Sequence, residues 1–300
     1  MDEAEVSRRS RVFASFLEPC IGQVYFSPEC HEEYVNLGFA PSPGAFGGVA
    51  MPDGAAYFTS RGSLLGQVVP HVVAAAFGVF DPLVVVPGVR FGWELTDAET
   101  IFAARRRGAV AQLRRILGDD PDGMKDVVHS LERMTEPLRP EGRALFAGAR
   151  SHWDDPAELM TRFFHLGDML REFRGDAHVT AWVSAGVDAT EIGLLTELYI
   201  GLPPRTYVRT RGWSDDALDA AHSRLRERGW VEPDGASMTP AGRDARETIE
   251  RATDIQLRPA IEVLGDDATS VCAHLERWGQ QVRDGHGYIG GAADLWPNRS

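Results

Sequence analysis

The sequence has few cysteines and lacks any segment that would direct it to or through a membrane. Its three cysteines, Cys20, Cys30 and Cys272, are an odd number without a CxxC pair, which argues against a disulfide framework. The start MDEAEVSRRSR has no apolar core of a signal peptide. The most apolar stretch, residues 68–80, carries His71 and is shorter than the roughly 18 to 20 residues that span a bilayer. We expect a reduced, cytoplasmic protein with no membrane role.

Positive charge is also scarce. The 300 residues include 31 Lys and Arg against 44 Asp and Glu, a net charge of -13. Nucleic-acid affinity comes largely from cations that displace counterions from phosphates, so this balance disfavours DNA binding unless a local basic patch provides it. The hydrophobic content of 43% is sufficient for one large or two smaller domains.

Signature motifs of several enzyme classes are absent. The sequence contains no P-loop, GxSxG elbow or HExxH motif. The segment SPECHEEY places Cys30 and His31 together, and either could join a histidine elsewhere around a metal, but no metal-ligand spacing supports this. We therefore predict neither a metal nor a cofactor.

The chain does contain an internal repeat. DGAAYFTSRG, residues 53–62, matches DGASMTPAG, residues 234–242, and a second pair, residues 117–134 and 264–278, follows in the same order. In both members of the first pair we interpret the Asp-Gly as the turn of a β-wing that leads into a helix.

The repeat predicts two fused units. We place them at residues 1–140, with an inserted segment near 68–100, and 141–300, with prolines and a glycine at the boundary. The predicted fold is mainly α with small β-wings, in which two winged helix-turn-helix units form a pseudo-dimer.

The second unit can be translated element by element. Its sequence signals give helix, helix, helix, two-stranded wing, helix, which is the order of a winged helix-turn-helix. The signals are Pro156 in a first turn, a break or bend at Gly175 with a cap at Asp176, caps at Asp188 and Ser214, and a hairpin turn at Asp234-Gly235.

Two resemblances follow from these motifs. RLRERGWVEPDGASMTPAGRDARETIE, residues 224–250, resembles regulators of the MarR type. Across its length the chain also resembles an actinobacterial family of helix-turn-helix proteins, with similar motifs at YFSPE, YFTSRGSLLG and LREFRGDAH. These resemblances imply a winged-helix fold, and the second makes specialised metabolism a plausible setting.

The recognition-like helix of this unit is acidic. Asp215, Asp216 and Asp219 occupy its first turns, where contacts with bases would be expected, and carboxylates there face a phosphate-lined groove unfavourably. Arginines before and late in the helix either contact phosphates or pair with nearby acids: Arg205, Arg209, Arg211, Arg224, Arg226 and Arg228. DNA is a second candidate partner, disfavoured by the net charge and by this helix.

The stretch HLGDMLREFRGDAHVTAW, residues 165–182, is crowded with ionisable groups. They indicate either helix caps and ion pairs or a site in which a histidine, oriented by a carboxylate, acts as general acid or base. The predicted catalytic residues are His165, His178, Asp168 and Asp176. The predicted ligand-binding residues are the anion clamps Arg171, Arg174 and Arg61 and the aromatic side chains Tyr57, Trp93 and Trp182.

These observations lead to two functional hypotheses. The first is a protein that binds an organic small molecule and acts on it without a cofactor, by isomerisation, elimination, cyclisation or hydrolysis. The alternative is a MarR-like, ligand-responsive transcriptional regulator that binds DNA. Both accommodate a homodimer.

Overall fold

The chain folds almost entirely into α-helices, as predicted. The structure is a computed structural model and describes residues 1–290. The helices are α1 (Glu3–Gly22), α2 (Pro28–Asn36), α3 (Gly54–Gly62), α4 (Pro70–Phe77), α5 (Pro82–Leu95), α6 (Ala98–Leu117), α7 (Met124–Thr135), α8 (Ala144–Ser151), α9 (Leu159–Ser184), α10 (Ala189–Tyr199), α11 (Asp215–Glu227), α12 (Pro240–Ile255), α13 (Arg258–Leu264) and α14 (Ala268–Asp284).

Within residues 1–290, extended structure consists of one short hairpin and one isolated bridge. Strands β1 (Ala45–Phe46) and β2 (Val49–Ala50) pair antiparallel, and a single antiparallel bridge joins Val231 to Met238. Among residues 1–290 no helix combines the length and apolarity needed to cross a bilayer.

The buried apolar side chains form two cores. The larger core contains side chains from α1 to α8, most of α9, α13 and α14, and in it Phe163 packs edge-on against Trp278. The smaller core contains side chains from the end of α9 and from α10, α11 and α12, packed around Leu194 and Leu218. The larger core draws on both sides of position 140, and the chain passes from it to the smaller core within α9 and returns to it before α13.

Helix α9 crosses from one core to the other without a break. The predicted break or bend at Gly175 and the cap at Asp176 are wrong, because both residues lie inside a helix of 26 residues. A helical glycine costs about 0.5–1 kcal/mol relative to alanine, which packing on both sides of this long helix offsets. The helix also begins at Leu159, later than Pro156 suggested.

The other predicted caps of the second unit are confirmed. Asp188 accepts from the N–H groups of Thr190 and Glu191, and the Glu191 side chain accepts in return from the Asp188 N–H, which is a complete capping box. Ser214 caps α11 by accepting the N–H three residues on. Thr239, which was not predicted as a cap, does the same for α12.

The two pairs of repeated segments differ in how similar their structures are. In the second pair, α6 and α13 end at leucines, and each is followed by a glycine with positive φ, Gly118 at +86° and Gly265 at +49°. In the first pair the structures differ, because Asp53 caps α3 by accepting from the Ala56 N–H, so residues 54–62 are helical. The wing-like interpretation of DGAAYFTSRG is therefore wrong, and the small hairpin β1–β2 lies just before it.

Helices α2 and α6 pack so closely that a side chain at Gly108 has no room. A Cβ built at Gly108 would lie 2.5 Å from the Cα of Cys30. We expect Gly108→Ala to lower the free energy of unfolding by about 1–3 kcal/mol, since the backbone of α2 must move. Urea denaturation measures the loss.

The matched control is Gly54→Ala at the start of α3, where a Cβ meets nothing within 4 Å. It should leave stability unchanged or raise it slightly, because alanine restricts the unfolded chain. Equal stability of Gly108→Ala and the wild type would contradict the close contact of α2 and α6.

Candidate functional site

A cavity of about 270 Å³ lies between the two cores. Helices α1, α3 and α9 form one side, and α10, α12 and the 3₁₀ turn Val208–Arg211 form the other. Its most unusual feature is a high density of guanidinium groups, contributed by Arg11, Arg61, Arg171, Arg174, Arg211 and Arg246. Two carboxylates, Glu18 and Glu250, also line it.

On the α3 side, two of these arginines bind the buried carboxylate of Glu172. Arg61 donates from Nε and Nη2 to its two oxygens at 3.0 and 2.6 Å, and Arg171 donates from Nη1 at 3.1 Å. Burial opposes ionisation of Glu172, but the charge and hydrogen bonds of Arg61 hold its pKa at about 2. Arg171 also donates to Glu18 at 3.0 Å, so both arginines already have carboxylate partners.

On the opposite side, ion pairs join α1, α9 and α12. Arg174 of α9 donates to Asp254 at 2.9 Å and to Glu250, and Arg246 donates to the other oxygen of Glu250 at 2.6 Å. Arg11 of α1 donates to Asp254 at 2.7 Å. The smaller core is thus fastened to α1 and to the middle of α9 by shared carboxylates.

His178 lines the same cavity one turn beyond Arg174. Its Nδ1 lies 3.1 Å from the hydroxyl of Thr253. Burial, reinforced by the neighbouring charge of Arg246, lowers the pKa of His178 to about 3. The imidazole is therefore neutral near pH 7, which makes it a poor general acid.

Two other predicted catalytic residues bind the ends of α8 instead. His165 Nε2 lies 2.8 Å from the carbonyl oxygen of Ala149, and Asp176 accepts the backbone N–H of Phe146 at 3.0 Å. Burial lowers the pKa of His165 and raises that of Asp176 to about 6. Neither residue lines the cavity.

The fourth, Asp168, forms a buried ion pair. Both its oxygens accept from Arg105 of α6, at 2.7 and 3.0 Å, and the Arg105 side chain is fully buried. The prediction that His165, Asp168 and Asp176 meet His178 around one cavity is therefore wrong, because α9 directs them toward α6 and α8.

The predicted aromatic residues also lie elsewhere. The Tyr57 ring lies 4.9 Å from that of Tyr25 in a tilted arrangement, Trp93 donates to a backbone carbonyl, and Trp182 is buried in the smaller core. From the predicted inserted segment near 68–100, Val79 contributes to the lining. Four of the predicted site residues line the cavity: Arg61, Arg171, Arg174 and His178. Arg246 also lines it and was not predicted, although its spacing of four residues from Glu250 could have indicated an ion pair on one helix face.

The residues considered for a metal are also committed to other contacts. Cys30 is buried with its Sγ 3.6 Å from the carbonyl oxygen of Arg105, and His31 Nε2 lies 3.0 Å from that of Tyr25. Within residues 1–290 no group of three or more His, Cys, Asp or Glu is arranged to hold a metal ion.

A second feature adjoins the cavity. The 3₁₀ turn Val208–Arg211 is followed by three residues, Gly212 to Ser214, and then by α11. Gly212 takes φ +83°, a left-handed conformation that glycine adopts readily. In a helix-turn-helix, two helices are joined by a turn of three or four residues that often contains glycine. Here a turn of that length, with Gly212, joins a single 3₁₀ turn to α11.

Two of the three acids at the start of α11 pair with arginines that precede the helix. Arg209 donates to Asp215 at 2.6 Å, and Arg205 pairs with Asp219. Later in the sequence, Arg224 pairs with Asp188 of α10 at 2.5 Å. These acids are therefore less repulsive toward phosphate than the sequence alone suggested.

The pair of Asp168 with Arg105 yields a test of its structural role. Asp168→Asn leaves the guanidinium of Arg105 buried without a counter-charge, so we expect a loss of about 3–5 kcal/mol in the free energy of unfolding. Asp154→Asn, which breaks the exposed pair with Arg106, should cost no more than about 1 kcal/mol. An unchanged stability of Asp168→Asn, measured by chemical denaturation, would contradict this role.

The low pKa of His178 predicts a pH dependence of stability. Its pKa is about 3 in the folded state against 6.5 ordinarily, so below pH 6.5 the unfolded chain takes up the proton first and stability falls. Between pH 7 and 5 the wild type should lose about 1–2 kcal/mol more than His178→Gln, which does not titrate. Parallel pH profiles of the two proteins would show that His178 is not held neutral in the folded state.

Comparison with known proteins agrees with the geometry beside the cavity. A family model described as a helix-turn-helix family matches residues 10–289. Neither curated proteins nor solved structures include a match to the chain. Because the match extends over nearly the whole sequence, the chain belongs to this helix-turn-helix family.

Proposed function

We propose that the protein is a winged helix-turn-helix transcriptional regulator that binds double-stranded DNA through α11 and responds to a small organic molecule in the cavity. The observation that carries this proposal is the three-residue turn at Gly212, which joins the 3₁₀ turn to α11 in a member of a helix-turn-helix family. The outer face of α11 is exposed at Asp216, Ala220 and Ser223, as a helix that enters a major groove requires.

The order of elements after α10 supports the winged, MarR-like form. After α11 the chain runs through the bridge between Val231 and Met238, turns at Asp234-Gly235 and enters α12. In the first half, α2, the hairpin β1–β2 and α3 occur in the same order. That parallel favours a tandem of two winged-helix units, in which the first has lost an exposed reading helix.

The distribution of charge supports contact between DNA and this part of the surface. Residues 205–245 contain seven arginines and seven carboxylates, so this segment is neutral although the chain carries -13. Arg226, in the last turn of α11, is exposed and forms an ion pair with no carboxylate among the described residues. It is therefore available to contact a phosphate or a guanine.

Acid/base catalysis has less support. It depended on a predicted histidine and a predicted aspartate meeting at the cavity, and neither Asp168 nor Asp176 lines it. The carboxylates that do line it, Glu18 and Glu250, are bound by arginines. His178 is the histidine among the lining residues, and its pKa of about 3 keeps it neutral. A cavity beside the helix-turn-helix, without a competent acid or base pair, fits an effector site better than an active site.

The test of DNA binding introduces one carboxylate on the exposed face of α11. Ala220→Glu should weaken binding at least about ten-fold, because a new negative charge faces the phosphate-lined groove. The measurement is fluorescence anisotropy over a salt series with labelled DNA from the region upstream of the protein's own gene. Ala111→Glu, on an exposed position of α6, is the matched control and should bind as the wild type does.

Two results would count against the proposal. Equal affinity of Ala220→Glu and the wild type would show that α11 does not enter the groove. Absence of salt-dependent, sequence-selective binding of the wild type to any fragment of that region would overturn DNA binding altogether.

A further inference from the structure

We infer that the cavity binds an organic acid, whose oxyanion lies on Arg211 and Arg246 and whose apolar part lies against α9 and α10, and that Arg211 transmits this binding to α11. The second half of this inference rests on the proposed DNA-binding function. The first half concerns the ligand alone.

Arg211 is the cation in the cavity whose charge is least compensated. Among the described residues it forms no ion pair, whereas the other five lining arginines each bind a carboxylate. Its guanidinium lies over the rings of Phe80 and Tyr207, at 4.6 and 4.3 Å from their centroids, and Nη2 donates to the Tyr207 hydroxyl. Its Nε is buried with no acceptor among the described residues.

Arg246 of α12, which forms the same side of the cavity, has donor capacity left as well. It is 5% exposed, and Nη1 donates to Glu250, while Nε has no acceptor among the described residues. A buried donor without an acceptor costs about 1–3 kcal/mol, more when it is charged. An oxyanion supplies several acceptor atoms in the planar arrangement that a guanidinium matches.

The remaining lining sets the size and character of the ligand. The volume of about 270 Å³ is close to the lower limit of small-molecule pockets, roughly 300 Å³, which favours a compact acid over a nucleotide. Leu17, Leu170, Ile192 and Ile200 provide apolar contact surface. A small carboxylate, sulfonate or phosphate ester with a ring or branched hydrocarbon satisfies both requirements.

Arg211 links the cavity to the reading helix. It ends the 3₁₀ turn, and three residues separate it from α11. The same turn is docked on the larger core, because the Arg211 carbonyl accepts the N–H of Asp81 at 2.9 Å and Trp213 Nε1 donates to the Val79 carbonyl at 2.9 Å. A ligand that holds Arg211 therefore favours one placement of the turn and of α11, and differential affinity for two placements is what couples two sites.

The first experiment tests the ligand class without DNA. Thermal unfolding and titration calorimetry are carried out with 2-naphthoate and with its neutral analogue 2-naphthamide as probes. We expect 2-naphthoate to bind at least about ten-fold more tightly than 2-naphthamide, because only the acid offers charged acceptors to the arginines.

Substitutions then locate the oxyanion. Arg211→Met, which keeps an apolar stem, should lose at least about ten-fold in affinity for 2-naphthoate, and Arg246→Met should do the same. Arg209→Met is the matched control, since that side chain is exposed and pairs with Asp215 outside the cavity. If Arg211→Met does not fold, the preference of the wild type for the acid over the amide and the Arg246→Met result decide the question.

The second experiment tests the coupling. Saturating 2-naphthoate should change the Kd of the wild type for its DNA at least about three-fold, and it should leave that of Arg211→Met unchanged. Equal binding of acid and amide, or full binding by Arg211→Met, overturns the ligand assignment even if DNA is bound normally. Tight 2-naphthoate binding with an unchanged DNA Kd overturns the coupling, and failure of DNA binding alone overturns only the proposed function.

Discussion

Three carboxylates share one buried stripe of α9, at Asp168, Glu172 and Asp176, and the arrangement of the larger core depends on how each is compensated. A carboxylate taken out of water is costly unless a cation or hydrogen-bond donors replace the lost hydration. Here an arginine of α6 meets the first, an arginine of α3 meets the second, and a backbone N–H at the start of α8 meets the third. Because each partner comes from a different helix, the spacing of the three along α9 fixes where α3, α6 and α8 lie.

The same helix also fixes the smaller core, through its other side. Arg174 and His178 contact α12, which shares its carboxylates with α1. The segment between α10 and the helix-turn-helix turn is held differently, by Glu197, a fully buried carboxylate that accepts the N–H groups of Tyr207 and Val208 at 3.1 Å. Ion pairs therefore hold α12 of the smaller core against α1 and α9, whereas a few hydrogen bonds hold the turn that carries Arg211.

The sequence predicted local signals well and long-range partners poorly. The caps at Asp188 and Ser214 are interactions within three residues, and the spacing of the residues themselves reveals them. The role of Asp168 could not be read in this way, because Arg105 lies 63 positions away and only the packing of α6 on α9 brings it near. The predicted break at Gly175 failed for a related reason, since tertiary contacts on both sides of α9 outweigh the weak local preference of glycine against helix.

The same limit explains the mistaken catalytic cluster. His165, Asp168 and Asp176 are close in sequence to His178, but a continuous helix turns residues three, four and eight apart toward one side and those in between toward another. With a break at Gly175 all of them could converge, and without it they cannot. The arginines of the cavity come from five separate segments, and only those on α9 and α3 were predicted from the sequence to bind a ligand.

The charge distribution imposes the same requirement on the two proposed anionic partners. A net charge of -13 repels anions at a distance, so neither phosphate nor an organic acid is steered toward the protein as a whole. At physiological ionic strength, however, charges more than about 8 Å apart are largely screened when exposed to solvent. Inside the cavity an acid meets guanidinium groups at contact distance, where exclusion of water strengthens their attraction. The affinity of such a ligand therefore comes from its contacts inside the arginine-lined cavity and not from long-range attraction.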